Sequence, residues 1–257
     1  MKINFFEEYP TEENMAKLDL VDWEATILVA APSLKEFESI RTTYRQKYSH
    51  ITFGWWPTIP GSYWVSCFAN PSDLDRLFSE ITSKVQEETL PLLIDLELPI
   101  KKSLYAINFL NMHKNKKKIN SFFNSAPDFN LKIYTAEYPT PNNLFLRLWR
   151  FFGISPLFSF KHTKLVMYYS SMGIKSLGKS IWSKVSQFEK KFASMNQSRV
   201  GFGLGTIAIG VLGDEPILSP EDLYKDLCWA QESGIKEVFV FRLGGLNESY
   251  ISKIKKI

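Results

Sequence analysis

Eight short, apolar, β-rich runs occur along this chain, and longer segments with helical patterning separate them. The predicted strands are Lys2–Phe6, Ala25–Ala31, Ile51–Trp55, Leu92–Leu98, Leu131–Tyr138, Lys164–Tyr169, Phe202–Leu212 and Glu237–Leu243. The predicted helical segments are Ser33–Tyr48, Ser72–Glu88, Asn142–Phe152, Ser176–Met195 and Pro220–Ser233. Strands that alternate with helices pair in parallel through right-handed crossovers, and eight such units match a barrel. We therefore expect an α/β fold, a (β/α)8 TIM barrel, as a single domain over residues 1–257.

Local signals support the helix boundaries. Ser33 with Glu36 three residues later is a capping box, and Pro220 follows Ser219 at a first-turn position. Gly234 is suited to end the last of these helices. A doubly wound open sheet is the alternative, but it usually has fewer strands and a glycine-rich first turn. The chain instead continues from its first strand into 7–10, Glu-Glu-Tyr-Pro.

Charge and composition exclude several classes of protein. The net charge is +4, and the four lysines of the 113–118 run account for all of it, so we expect no nucleic-acid partner. Cys67 and Cys228 lack the spacing of metal ligands. Glu7 and Glu8 interrupt the apolar start, and no run approaches the length of a membrane span. We expect a cytoplasmic protein with no stable membrane insertion.

Two acidic residues interrupt the fourth apolar run. Asp95 and Glu97 are two residues apart, so their side chains share one face of a strand. Burying two acids side by side costs several kcal/mol unless the protein compensates or uses them. The pair is therefore the strongest indication of chemistry in the sequence.

Acidic and aromatic residues cluster where the predicted strands end, which is where barrel enzymes place their active sites. Carboxylates can act as acid, base or nucleophile on a glycosidic bond, and flat aromatic rings pack against sugar rings. We therefore predict a site for a carbohydrate or another small molecule. The candidate catalytic residues are Glu97, Asp95, Glu137 and Glu215. The candidate substrate-binding residues are Glu7, Trp55, Trp56, Tyr134, Tyr169 and Arg242.

Other chemistries lack their residues at this rim. The three histidines precede strands or lie in helical stretches, so we expect no metal site and no cofactor. Arg242 with Gly244-Gly245 follows the eighth strand, where barrel enzymes often bind phosphate. A phosphorylated substrate is therefore one alternative. We favour the interpretation that Arg242 pairs with the rim acids and lowers their mutual repulsion.

Two further stretches are interpreted as structural. The segment Asn143–Phe160 is aromatic-rich with two arginines and could lie on a membrane surface, but an outer-ring helix with a covering loop is the favoured interpretation. The lysines of 114–118 are expected on a solvated helix face.

The site motifs resemble those of carbohydrate-active barrels. Asp95-x-Glu97 on strand four, with Met167-Tyr168-Tyr169 on strand six, resembles the chitinase-type family 18 glycoside hydrolases. That resemblance implies that Glu97 is the general acid, Asp95 supports it and Tyr169 binds substrate. The sequence departs from the family pattern at Leu93, Ser170 and Arg242. Asp95-x-Glu97, followed by Ile133-Tyr134-Thr135, is also similar to the family 25 lysozymes.

These observations favour a glycosidase-like hydrolase in which Glu97 protonates the leaving oxygen and Glu137 or Glu215 acts as nucleophile or base. A non-catalytic barrel that binds a glycan through the same rim is the second hypothesis. A barrel enzyme that holds a phosphorylated substrate through Arg242 is the third.

Overall fold

A computed structural model of the chain describes residues 1–85, 90–125, 131–155, 162–196 and 199–257. Eight parallel strands close into a barrel in sequence order, with β8 pairing against β1. They are β1 Lys2–Glu7, β2 Ala25–Ala31, β3 Ile51–Pro57, β4 Leu90–Asp95, β5 Leu131–Glu137, β6 Thr163–Met167, β7 Val200–Gly205 and β8 Glu237–Phe241. The predicted (β/α)8 barrel is confirmed.

Helices connect the strands on the outside of the barrel. Those within the described ranges are α1 Glu12–Met15, α2 Leu34–Tyr44, α3 Pro71–Val85, α4 Ser103–Ile107, α5 Met112–Ser125, α6 Asn143–Phe151, α7 Ser170–Met195, α8 Pro220–Glu232 and α9 Glu248–Ile254. The predicted caps form, since Ser33 accepts from the Glu36 N–H and Ser219 from the Asp222 N–H. The end of the predicted helix Ser72–Glu88 lies outside the described residues.

Side chains alternate between the barrel interior and the surrounding helices. The interior cluster includes Phe6, Leu28, Trp56, Leu93 and Phe239, each buried. The residues next to them in sequence face outward and pack under the helices in the larger core cluster. Both faces of each strand are therefore apolar, as expected for a parallel barrel.

Five strands end earlier than predicted. β5 ends one residue early at Glu137 and β8 two residues early at Phe241, whereas β4 ends at Asp95, β6 at Met167 and β7 at Gly205. At Gly205 the backbone takes a φ of +104°, which is incompatible with a continuing strand. Because these strands end early, the residues that follow them form loops above the barrel. Helix α7 begins at Ser170 instead of the predicted Ser176.

Helix α6 forms at the start of the stretch Asn143–Phe160, as predicted, but most of its large apolar side chains are exposed. Leu146 is its buried residue, whereas Leu144, Phe145, Leu148 and Phe151 are exposed. Residues 156–161 of that stretch lie outside the described chain. No helix in the described ranges is long and apolar enough to cross a membrane.

The lysine run lies on α5, as predicted, but it is not uniformly solvated. Lys114 and Lys117 are exposed. Lys116 instead donates to the carbonyls of Arg150 and Phe151 at 2.8 and 3.0 Å, and thereby ties α5 to the end of α6.

Candidate active site

A cavity of about 550 Å3 opens at the carboxyl ends of the strands. Five residues chosen from the sequence line it: Asp95, Glu97, Glu215, Trp56 and Tyr169. Glu8, Trp64, Tyr138 and Trp149 line it as well. The site is therefore a group of four acids within an aromatic wall.

The alternation of side chains explains how separate strands supply these groups. Trp56 lies in the interior cluster of the barrel, and Phe6, two residues before Glu8, lies there with it. Ala136 is interior too, and it is the register partner of Asp95 on the neighbouring strand. Glu8, Asp95 and Tyr138 therefore continue the inward-facing rows of their strands, whereas Glu215 and Trp149 come from a loop and a helix.

Glu97 lies two residues beyond β4 and accepts a hydrogen bond of 2.8 Å from the Tyr138 hydroxyl. Burial raises the pKa of Glu97 from 4.5 to about 7. The Tyr138 hydrogen bond opposes that rise, and the negative charge of Glu8 adds to it. Glu97 can therefore both give and take a proton near neutral pH.

Asp95, the last residue of β4, is fully enclosed. Burial, then the charges of Glu97 and Glu8, raise its pKa well above the ordinary value. The Trp56 indole is close enough to oppose this rise slightly but does not reach hydrogen-bond geometry. In its protonated form Asp95 can donate a hydrogen bond, and burial favours that form.

Glu8 receives a 2.5 Å hydrogen bond from the Tyr63 hydroxyl. Tyr63 has a φ of +68°, a left-handed backbone conformation that is uncommon for a non-glycine residue. Burial raises the pKa of Glu8 to about 7, although Tyr63 and the backbone of Val211 partly offset the effect. The nearby Glu215 charge raises it further.

Glu215 comes from the loop after β7, not from a strand end as predicted. Its carboxylate accepts from the Leu212 N–H at 3.0 Å, which closes a tight loop beside Gly210. A Cβ at Gly210 would lie 2.6 Å from Glu8 Oε2 and 2.9 Å from Glu215 Oε1. The absence of a side chain at Gly210 thus lets two carboxylates approach the same point.

Several polar atoms of the cavity-lining residues are buried without a hydrogen-bond partner among the described residues. They are Glu8 Oε2, Asp95 Oδ1, Glu215 Oε2, Trp56 Nε1 and Trp149 Nε1. Unpaired buried polar groups are rare and costly in native proteins. A ligand that both donates and accepts hydrogen bonds would satisfy this mixed set.

Aromatic side chains form the walls between these polar groups. Tyr63 bridges Trp56 and Trp64 through edge contacts, with ring centroids 6.5 and 5.6 Å apart. On the other side Tyr138 packs on Trp149 at 5.7 Å. Tyr169 lies against Phe241, also at 5.7 Å. Burial raises the pKa of the Tyr169 hydroxyl well above its ordinary value, and the charges of the four acids raise it further.

Glu137 does not belong to this cavity. It faces outward from the end of β5, where Thr135 and Ser155 donate to it at 3.0 and 2.5 Å. Lys164 forms an ion pair with it at 3.0 Å; the Glu137 side chain is buried and that of Lys164 is mostly so. This carboxylate is fully compensated by its own surroundings, so we do not include it in the proposed mechanism.

Glu7 and Arg242 also lie outside the cavity lining, and they bind each other. The guanidinium contacts Glu7 Oε1 at 3.0 Å, and the Gly244 N–H donates to Glu7 Oε2 at 2.7 Å. The predicted pairing of Arg242 with a rim acid is confirmed. Glu7 thereby occupies the Arg242 guanidinium and the Gly244 N–H, the two donors that would bind a phosphate. The structure therefore does not favour the phosphorylated substrate.

Trp55 and Tyr134 are buried in packing instead of at the mouth. Trp55 faces outward, stacks on Phe37 and donates to the Ala31 carbonyl at 3.0 Å. Tyr134 faces inward, but it lies at the amino-terminal end of the barrel and donates to Glu237 at 3.0 Å. Neither residue lines the cavity.

Five residues of the site were not selected from the sequence: Glu8, Tyr63, Trp64, Tyr138 and Trp149. Glu8 and Tyr138 could have been found by extending the inward-facing rows of β1 and β5 by two residues. Tyr63 and Trp149 arrive through loop and helix geometry that no local pattern reveals. Among the described residues, no group of three or more His, Cys, Asp or Glu side chains has an arrangement that could hold a metal ion.

No family model matches this chain, and no curated protein matches it in sequence. Solved structures do share its fold. The C-terminal domain of a candidate chitinase from Desulfitobacterium hafniense aligns with a TM-score of 0.60 and 10% identity over 98% of this chain and 97% of that one.

Two other similar barrels have different descriptions. A xylose isomerase domain protein from Planctomyces limnophilus aligns with a TM-score of 0.54 and 12% identity, over 99% of this chain and 93% of that one. The spore cortex-lytic enzyme SleL of Bacillus megaterium aligns with a TM-score of 0.52 and 12% identity, over 99% of this chain and 73% of that one. The resemblance to glycosidase-like TIM barrels is therefore shown at the level of the fold.

Proposed function

We propose that this chain is a glycosidase-like hydrolase whose carbohydrate substrate binds in the cavity beside Glu97. The observation that carries the proposal is the set of unpartnered donors and acceptors on the residues that line one cavity. A sugar hydroxyl donates one hydrogen bond and accepts others, so it can pair with an indole N–H and a carboxylate together. The surrounding aromatic faces suit the C–H surfaces of sugar rings.

In this proposal Glu97 is the general acid. With a pKa of about 7 it holds a proton on a substantial fraction of molecules at neutral pH. It passes that proton to the glycosidic oxygen as the bond between that oxygen and the anomeric carbon breaks. Glu215, whose approach to Glu8 depends on Gly210, is the candidate base or nucleophile that completes the reaction with water. Asp95 in its protonated form donates a hydrogen bond to the substrate.

Two kinds of similarity support a carbohydrate substrate. The Asp95-x-Glu97 pair resembles the motif of the family 18 glycoside hydrolases, in which the Glu is the acid. Two barrels of the same fold are described as a chitinase candidate and a spore cortex-lytic enzyme. Chitin oligosaccharides and peptidoglycan fragments are therefore the first substrates to test.

The test compares Glu97→Gln with a matched control, Glu237→Gln. Glu237 accepts a hydrogen bond from Tyr134 at the opposite end of the barrel, much as Glu97 accepts one from Tyr138. Removing a general acid lowers turnover by roughly 10²–10⁴-fold. We expect that loss in Glu97→Gln, with little change in Glu237→Gln once the folded fraction is matched. Full turnover in Glu97→Gln would overturn the assignment.

A glycan-binding barrel without catalysis would use the same polar atoms. Calorimetry with the same oligosaccharides separates the two functions, because it detects binding whether or not cleavage follows. Saturable binding without any product, unchanged in Glu97→Gln, would replace hydrolysis with this second function.

A further inference from the structure

The exposed large apolar side chains are concentrated on one side of this molecule. Within the described ranges, all of them except Tyr9 lie on the segments that follow β4 to β7, and Met195 lies at the far end of α7. We call the following set the apolar rim: Ile100, Ile107, Phe109, Leu110, Leu144, Phe145, Leu148, Phe151, Ile174, Leu177, Ile181, Ile209, Leu212 and Ile217. Strands β4 to β7 are consecutive in the barrel, so these segments are adjacent to one another.

The apolar rim reaches the cavity at three points. Ile100, Leu177 and Leu212 belong both to the rim and to the cavity lining, and they come from three different segments. Several members are strongly exposed, with 92% for Leu110 and 72% for Leu144. Contiguous exposed apolar surface of this kind is typical of a binding face.

Helix α6 carries the clearest exposed apolar face of the rim. Leu144, Phe145, Leu148 and Phe151 follow helical spacing and form one face, which is directed to solvent. Arg147 lies within this stretch and is exposed too. A helix with exposed Leu and Phe side chains on one face and Arg beside them is typical of a membrane interface.

The rim segments that follow β4, β5 and β6 are strongly basic, whereas the one that follows β7 contains Asp214 and Glu215, and Asp214 pairs with Lys175 at 2.9 Å. The sequence has no Asp or Glu between Glu97 and Asp128, nor between Glu137 and Glu189. These two stretches hold 13 of the 31 basic residues and none of the 27 acidic ones. Lys101 and Lys102 adjoin Ile100, and Lys179 lies between Leu177 and Ile181. All three lysines are exposed.

We propose that the apolar rim docks this protein on the surface of an anionic lipid bilayer, with the cavity mouth facing the membrane. Apolar side chains enter the interface while the lysines and arginines between them contact negatively charged headgroups. Charge complementarity favours this occupant over a second copy of the chain. Two copies joined through this face would bring basic segments together. The inference goes beyond the proposed hydrolysis and does not depend on it.

Vesicle flotation tests the proposal with the unmodified full chain. We expect binding to phosphatidylcholine vesicles that contain about 30% phosphatidylglycerol, at least tenfold tighter than to pure phosphatidylcholine. We also expect at least a tenfold loss when the salt rises from 0.05 to 0.5 M, because surface charge is then screened. Equal binding to both vesicle types, or none to either, would overturn the proposal.

Double variants test whether the apolar rim is the surface that contacts the vesicle. Leu144→Gln with Leu148→Gln removes two exposed apolar groups, and Lys101→Glu with Lys102→Glu reverses two exposed charges. Each pair should weaken vesicle binding at least tenfold. Met195→Gln and Lys191→Glu, exposed near the other end of α7, are the controls and should bind as the wild type does. A rim pair that binds normally, or a concentration-dependent dimer that the Leu pair abolishes, would contradict the membrane assignment.

Discussion

Tyr138 donates a 2.8 Å hydrogen bond to Glu97, so the residue that follows β5 sets the proton affinity of a residue that follows β4. The bond stabilises the carboxylate form and holds the pKa of Glu97 below the value that burial alone would produce. The loops of two neighbouring strands thus act together on one acid.

Replacing Tyr138 by Phe should therefore raise the pKa of Glu97 further above 7. If Glu97 is the acid, the alkaline limb of the kcat/KM profile should move upward by about one pH unit. Tyr134→Phe removes the equivalent bond to Glu237 and should leave the limb in place. In the absence of turnover, a carbon-13 NMR titration of the glutamate carboxyls reports the same shift. A limb or titration that moves downward would contradict the geometry.

Much of the fold could be predicted, because an alternation of strands and helices leaves few architectures for eight units. The ends of the strands could not be predicted in the same way. The apolar run 202–212 predicts that β7 continues to Leu212, but the backbone turns at Gly205. The sequence therefore did not reveal the loop after β7 that brings Glu215 above the barrel.

For a related reason, the sequence does not show which of two neighbouring residues at a strand end faces the cavity. Both faces of a barrel strand are buried, so hydropathy does not show which acid of Glu7-Glu8 faces inward. The structure places Glu8 at the cavity and Glu7 on Arg242. Gly201, Gly203 and Gly205 alternate along β7, which indicates that one face of this strand is closely packed. The sequence alone does not show which side chains of the other strands lie on the same side of the sheet.

Glu8 provides a prediction about stability. Its pKa is 4.5 when exposed and about 7 in the folded chain. The folded state therefore binds this proton more tightly, so stability from this group is complete below pH 4.5 and falls as the pH rises through 7. The difference corresponds to roughly 3 kcal/mol at most.

We expect Glu8→Gln, which can still accept from Tyr63, to be more stable than the wild type at pH 8 by about 1–3 kcal/mol. At pH 4 the advantage should disappear. Urea denaturation at both pH values measures the two differences. A constant difference across this range would show that Glu8 titrates normally in the folded protein.

Glu137 and Lys164 form a compensated pair whose role is predicted to be structural. Removing one partner of a buried ion pair costs about 3–5 kcal/mol, because it leaves the other charge unpaired. Glu137→Gln should lose stability in that range while its folded fraction binds oligosaccharide normally. The double variant with Lys164→Met should recover part of the loss. A tenfold weaker affinity in folded Glu137→Gln would instead connect this residue to the cavity.

Alanine variants at two glycines, Gly210 and Gly54, distinguish the stability of the barrel from the function of the site. An alanine Cβ at Gly210 would meet the ends of Glu8, Glu215 and Phe241 at 2.6 to 2.9 Å, and these side-chain ends can move away. An alanine at Gly54 would instead meet the Pro91 carbonyl at 2.8 Å, which is backbone.

We therefore expect Gly210→Ala to cost about 1 kcal/mol and Gly54→Ala about 2–3 kcal/mol, both measured by urea denaturation. The functional effects should have the opposite order. Displacing two carboxylates should lower oligosaccharide affinity or turnover in Gly210→Ala at least tenfold, whereas folded Gly54→Ala should match the wild type. Normal function in Gly210→Ala would mean that Glu8 and Glu215 do not act at a common point, and the proposed base would then have to be sought elsewhere in the cavity.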